Sequence, residues 1–259
     1  MLYLHGEGVA NREQLHEITV PNREGIVSNR WVGISHGVLA DTIVEAAGER
    51  GLFIAKEQWQ TAGTQSADLF GSLDFKKERG RRDRMIVSPL ADLELPEGMG
   101  LSLGVRHSNL GKYAITFAVG GRVFVCSNGM MVGQFTLKRK HTTGLNLRKE
   151  IDLALDRYVE EAPALVSAVA EFRNSTVSND EAARILVEAG RQRVLAWSHL
   201  PDVDTQWQTP EFPDFEDRTE WSLLNAFTYV AARNLSATGQ FRLQKELPQL
   251  FRACRELRN

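Results

Sequence analysis

LSLGVRHSNLGKYAITFAVGGRVFVCSNGMMVGQF, residues 101–135, decides how this sequence folds. Leu101, Leu103 and Val105 alternate with small or polar residues, and Tyr113, Ile115, Phe117 and Val119 do the same. That period of two is the signature of a strand with one buried face. Gly120-Gly121 follows, and because glycine reaches the positive φ of primed turns, the pair predicts a hairpin into Val123–Val125. Phe124 points opposite to Val123 and Val125, so this third strand is apolar on both faces and is expected to be central. Asn128-Gly129 predicts the turn that ends it. The expectation is an antiparallel meander whose third strand is buried.

Upstream, Ser35 is a candidate N-cap, and Val38, Leu39, Ile43, Val44 and Ala47 form an apolar stripe ending at Gly51. His36, beside that cap, reads as a surface or capping residue. Leu52–Gln60 and Ala67–Phe75 predict two strands joined by a TAGTQS turn, so the helix covers one sheet face. Residues 1–34 show no sustained period and read as an arm or irregular cover with at most a short strand. Downstream, the period turns helical from Leu147 to Phe172, with Pro163 expected to kink or restart the helix. Ser178-Asn179-Asp180-Glu181 is a capping box for a helix that Gly190 is expected to close. Residues 201–218, with three prolines and six acidic side chains, read as a loop. Trp221–Leu235 and Pro248–Leu257 complete the set as helices. The fold class expected is therefore α+β. An antiparallel meander sheet backed by an N-terminal helix fills residues 1–149, and a helical part, 150–259, packs on it as one continuous domain.

At 259 residues the chain is long enough for a real core, and its 42% hydrophobic and 25% charged composition is that of a globular protein. No apolar run approaches the ~18 residues of a membrane span, and no secretion signal opens the chain. Cys126 and Cys254 lack metal-type spacing and read as buried small apolar residues, which fits a reduced cytoplasm. The net charge of -2 hides an asymmetry. Residues 76–149 carry 14 basic and 5 acidic side chains; the flanks carry 5 against 10 and 12 against 18. A basic middle between acidic ends suggests either a polyanion-binding surface or neutralisation by the chain's own carboxylates.

Two clusters carry that charge. KKERGRRDR, residues 76–84, holds Lys76, Lys77, Arg79, Arg81, Arg82 and Arg84. The second follows the meander: Lys138, Arg139 and Lys140, with Arg148 and Lys149 nearby. Lysine and arginine gain counterion-release entropy on nucleic acid, and guanidinium grips phosphate in bidentate fashion. Tyr113, Phe117 or Phe124 could stack on unpaired bases, or simply form core. No phosphate-cradling GxxxxGK[ST], GxGxxG, HExxH or paired CxxC occurs. His107, His141 and His199 could converge with Cys126 on a metal, but their spacing gives no local pairing, so neither a metal nor a cofactor is expected.

Three segments resemble the phage and plasmid family labelled domain of unknown function 932. They are Leu103–Asn109 (LGVRHSN), Gly121–Asn128 (GRVFVCSN), and Thr219-Glu220-Trp221 with Asn225-Ala226-Phe227-Thr228. The resemblance covers about residues 25–235 and marks Arg106, His107, Asn109, Asn128, Trp221, Asn225 and Thr228. Tyr229–Arg233 departs from the acidic and histidine-bearing continuation of that family. The resemblance implies a mobile-element protein of the bacterial host cytoplasm and brings no established catalytic residues. The element order is also similar, at the level of topology, to phage single-strand annealing proteins of the RecT, Redβ and Erf type.

The function expected is a non-enzymatic, homo-oligomeric binder of nucleic acid, preferentially single-stranded DNA, that contacts phosphate through the two basic clusters. One alternative is a protein that sequesters a host factor through the acidic 202–218 segment. Another is an enzyme acting on nucleotides around Arg106, His107 and Asn109.

Overall fold

The computed structural model describes residues 9–21, 31–76, 88–96, 99–123, 129–130 and 135–256. Seven strands form one antiparallel sheet: β1 (Val9–Ala10), β2 (Ile54–Ala62), β3 (Asp68–Phe75), β4 (Met99–Ser108), β5 (Ile115–Val123), β6 (Gly129–Met130) and β7 (Phe135–Arg139). They lie in the order β1-β2-β3-β4-β5, with both β6 and β7 paired to β5. The α+β architecture expected from the sequence is the one observed.

Register divides the sheet into two unlike faces. Trp59, Gly71, Val105 and Phe117 lie in one cross-strand row, and Thr61, Leu69 and His107 in the next. Leu73, Leu101, Leu103, Ile115 and Val119 share that face and belong to the continuous apolar core. The other face carries Gln60, Phe70, Ser72, Asp74, Ser102, Gly104, Arg106, Thr116 and Ala118, and is small and polar. Both faces of the central strands are buried, and two helices cover the first. One is α2 (His36–Glu49), which buries Leu39, Ala40, Ile43, Ala46 and Ala47. The other is α3 (Leu147–Asn174), which packs on β5, β7 and α2. Each fully buried Leu or Ile contributes about 1.5–3 kcal/mol, more than any exposed ion pair on these helices. α2 ends at Gly51, whose φ of 69° lets Leu52 N–H reach the Ala47 carbonyl at 2.9 Å.

Several local expectations are corrected. Gly120-Gly121 is not a turn: β5 runs through both, pairing Gly120 with Ser102 and Gly121 with Leu101. The chain reverses instead through Asn109–Tyr113, with Gly111 at φ 71°. The central strands are β3 and β4, not the Val123–Val125 run, whose last two residues and Asn128 lie outside the described residues. The irregular N-terminal cover contains a helix, α1 (Arg12–Glu17), opened by an Asn11/Gln14 capping box. Pro163 does not divide α3. Its missing N–H costs one bond, which burial of Tyr158, Ala162 and Leu165 outweighs. Helix α4 (Asn179–Arg191) has the expected Ser178/Glu181 box but continues past Gly190 to a cap at Gln192. The acidic loop is partly a helix, α5 (Leu200–Gln208): Pro201 suits its first turn, and Val203 and Trp207 are buried one turn apart. α6 (Glu220–Asn234) matches expectation. The last helix, α7 (Ala237–Glu256), is far longer than expected and passes through Pro248, because Leu243, Leu247, Leu250 and Phe251 bury one continuous stripe.

Trp59 lies directly over Gly71, where an added Cβ would come within 2.2 Å of the indole. Gly71→Ala is expected to cost about 2 kcal/mol through overpacking, measured as a shift of the urea midpoint. An unchanged midpoint would refute this reading of the glycine.

Candidate nucleic-acid interface and the histidine end of the sheet

At the end where β4 leaves the sheet, three histidines from distant segments meet. His36 is the first residue of α2, His107 is the next-to-last of β4, and His141 follows β7. His36 Nδ1 and His107 Nε2 are 2.8 Å apart, and His36 Nε2 is 2.7 Å from the Ser66 carbonyl. That carbonyl can only accept, so a neutral His36 carries its proton on Nε2 and accepts from His107 Nε2–H. His141 stacks on His107 at 5.3 Å and on Trp31 at 5.1 Å. All three imidazoles are buried. The expectation that His36 lies at the surface is corrected: long-range packing buries it, and nothing local in Ser35-His36-Gly37 signals that.

Asn109 fixes the same end. Its Oδ1 accepts from Ile34 N–H at 3.0 Å, its Nδ2 donates to the Ile34 carbonyl at 2.8 Å, and its own N–H donates to Ala67 at 2.7 Å. Val32 N–H donates to the His141 carbonyl at 3.3 Å, and Trp31 bridges to Thr142. Residues 31–36 are thus strapped across the sheet end by amide pairs and rings. Arg106 points to the polar face, where its guanidinium lies 5.0 Å from the Tyr113 ring centre, and burial pulls it below its ordinary pKa. Tyr113 also stands against Phe70 and bonds Thr238 of α7 at 2.7 Å through its hydroxyl. Lys112 pairs with buried Asp68 at 3.1 Å.

The basic residues divide by type. Arg139 pairs with Glu150 at 2.8 Å, and Arg148 is held by Glu49, Asp152 and Glu45. Burial would raise the Asp152 carboxyl, but Arg148 and Arg50 hold it below its ordinary value. Lys138, Lys140 and Lys149 are exposed and make no ion pair among the described residues. Lys149 lies in the first turn of α3, which Asn146 caps by accepting from its N–H at 3.0 Å, whereas Lys138, opposite Thr116, lies on the polar face of β7. Lys76 is exposed at the far end of the sheet, since β3 reaches Phe75 opposite Leu101 while Lys138 pairs with Thr116. Lys77, Arg79, Arg81, Arg82 and Arg84 lie outside the described residues.

The late motif is internal to the helical part. Trp221 is buried under the Arg173 guanidinium, at 5.1 Å. Asn225 Nδ2 donates to the Trp221 carbonyl at 2.8 Å, and the Thr228 hydroxyl donates to Asn225 at 3.1 Å. Glu220, 0% exposed, receives Arg255 Nε at 2.7 Å and so ties α6 to the end of α7. His199 ends a short turn just before α5, and Cys126 lies outside the described residues. Among the described residues no His, Cys, Asp and Glu group has metal-holding geometry, and no helix is long and apolar enough to cross a membrane.

These contacts define an α+β protein with an imidazole-packed sheet end and a lysine-bearing sheet edge. The chain belongs to the family described as Domain of unknown function (DUF932), which matches residues 102–249, from β4 to α7. No curated protein and no solved structure matches it. His36, Trp31 and β1–β3 therefore lie outside the matched span.

His36 is held below its ordinary pKa of 6.5, chiefly by burial, with Ser66 and Asp68 opposing. A histidine depressed in the folded state stabilises the fold fully above its unfolded pKa. Folding stability should therefore fall as pH drops below about 6.5, by at most about 1.4 kcal/mol per pH unit for this one proton. In His36→Gln the slope between pH 7.5 and pH 5 should be shallower. Parallel slopes in chemical denaturation would show that another group controls the response.

Proposed function

We propose that this protein is a non-enzymatic, oligomeric nucleic-acid binder of a phage or other mobile element, working in the bacterial cytoplasm. Its substrate is single-stranded DNA in recombination or annealing. The observation that carries the reading is the division of labour between the cations of residues 138–149. Arg139 and Arg148 are fastened to carboxylates of α2 and α3 and hold the corner rigid. Lys138, Lys140 and Lys149 remain for an external anion.

The physical case is electrostatic. Lys149, in the first turn of a 28-residue helix, adds to the partial positive charge of that end, phosphates are the anions such an end receives, and Lys138 adds an exposed ammonium on the polar face of the neighbouring strand. Exposed Thr142 and Thr143 add hydroxyl donors between them. The order of helix, hairpin, meander and helix resembles that of phage annealing proteins, which is an analogy of topology alone. The kinship with phage and plasmid proteins supports the same setting.

The reading is tested by titrating a labelled oligothymidylate in fluorescence anisotropy at several salt concentrations. Lys138→Glu/Lys140→Glu/Lys149→Glu should weaken binding at least tenfold and lower the slope of log K against log salt by about 2, at roughly 0.7 per lost phosphate contact. Circular dichroism should show an intact fold, because these side chains make no ion pair among the described residues. Unchanged affinity would falsify the assignment. Arg148→Glu is a poor substitute, since it also breaks the contacts of α2 with α3.

A further inference from the structure

We infer that Trp197, with the arginines around it, is a second nucleic-acid contact, a stacking platform for unpaired bases. The inference rests on the nucleic-acid reading above and deepens it, because it selects single strands over duplex. Trp197 is 57% exposed, whereas Trp59, Trp207 and Trp221 are buried. It is also fixed in place. Its indole lies flat over Gly190 in the last turn of α4, where an added Cβ would come within 2.6 Å of the ring. Glycine is a weak helix former, and here it makes room for an aromatic ring at the surface.

The surroundings are cationic. Arg191 and Arg193 are exposed at the same helix end, and Arg193 makes no ion pair among the described residues. Arg191 reaches Glu188 only at 3.9 Å. Arg242 of α7, which reaches Glu246 at 3.8 Å, donates to the Arg193 carbonyl at 3.3 Å and brings a third guanidinium to the patch. Arg193 itself is held at φ 57°, a left-handed conformation that non-glycine residues rarely adopt. Exposed Val187, one turn before Gly190, extends the apolar floor. An exposed ring among guanidinium groups fits a base with its phosphate. Every base offers a π-face when unpaired and none when stacked in a duplex.

The patch also lies along a path from the sheet end. Thr238 and Arg242 are one turn apart on α7 and therefore share a face. Thr238 bonds Tyr113, beside Lys112 and Arg106, and Arg242 reaches Arg193. A strand leaving the lysine corner at Lys140 can pass Lys112 and Tyr113 and arrive at Trp197.

The test compares an oligothymidylate with a blunt duplex of equal length, using anisotropy on the full chain. Trp197→Ala should weaken single-strand binding about tenfold, within the range of one lost base stack, and leave the salt slope unchanged. Duplex binding should stay within twofold, and Trp197→Phe should recover most of the loss. Arg193→Glu/Arg242→Glu should instead lower the salt slope. A single-strand affinity within twofold of wild type in Trp197→Ala, or equal losses on single strand and duplex, overturns the inference. If the lysine variant loses binding while Trp197→Ala does not, only the platform falls. If the wild type binds neither probe, both readings fall.

Discussion

Side-chain alternation along β4 is the constraint on which the rest of the molecule depends. Leu101, Leu103, Val105 and His107 point to one side, and Gly100, Ser102, Gly104 and Arg106 to the other. The apolar side is covered by α2 and α3, and the polar side, buried too, meets its own needs by pairs such as Ser102 with Asp74. Once α2 is laid on that face, its first residue falls beside the end of β4, and the His36–His107 pair follows. Once α3 is laid beside it, its start falls at the exit of β7, where Glu150 takes Arg139 while Lys138 turns to the other face. Both candidate regions are thus consequences of how one strand is patterned.

Arginine and lysine are used differently at this corner. Guanidinium groups have a planar fork that matches carboxylates, and those of Arg50, Arg139 and Arg148 are committed to Asp and Glu of α2 and α3. Ammonium groups are compact, strongly hydrated charges on flexible stems, and those of Lys138, Lys140 and Lys149 remain in water. The middle of the chain is therefore partly neutralised from within and partly open to an outside anion. Of the two readings that composition alone left as rivals, internal neutralisation accounts for Arg139 and Arg148.

The α+β class, the sheet-backing helix and the capping box at Ser178 were legible, because each is written in local period and cap chemistry. The length of α7 was not: Pro248 looks like a boundary until Leu243, Leu247 and Leu250 are seen to share one stripe. Gly120-Gly121 misled for a related reason, since glycine serves small faces within a strand as well as turns. The Asn11/Gln14 box could have revealed α1. The meeting of His36, His107 and His141 could not be read, because residues 71 and 34 positions apart are joined only by the finished sheet. The same holds for Gly190, whose role depends on a tryptophan seven residues on.

The family match beginning at Ser102 has a practical bearing on how the protein is cut. A fragment limited to the matched span would keep β4 but remove β3, its hydrogen-bonded neighbour from Asp68 to Phe75. An eight-residue row of backbone donors and acceptors would then stand open beside an apolar face that had also lost α2. Such a border recruits other chains edge to edge, so clumping of that fragment would reflect the missing neighbour and not the behaviour of the intact chain.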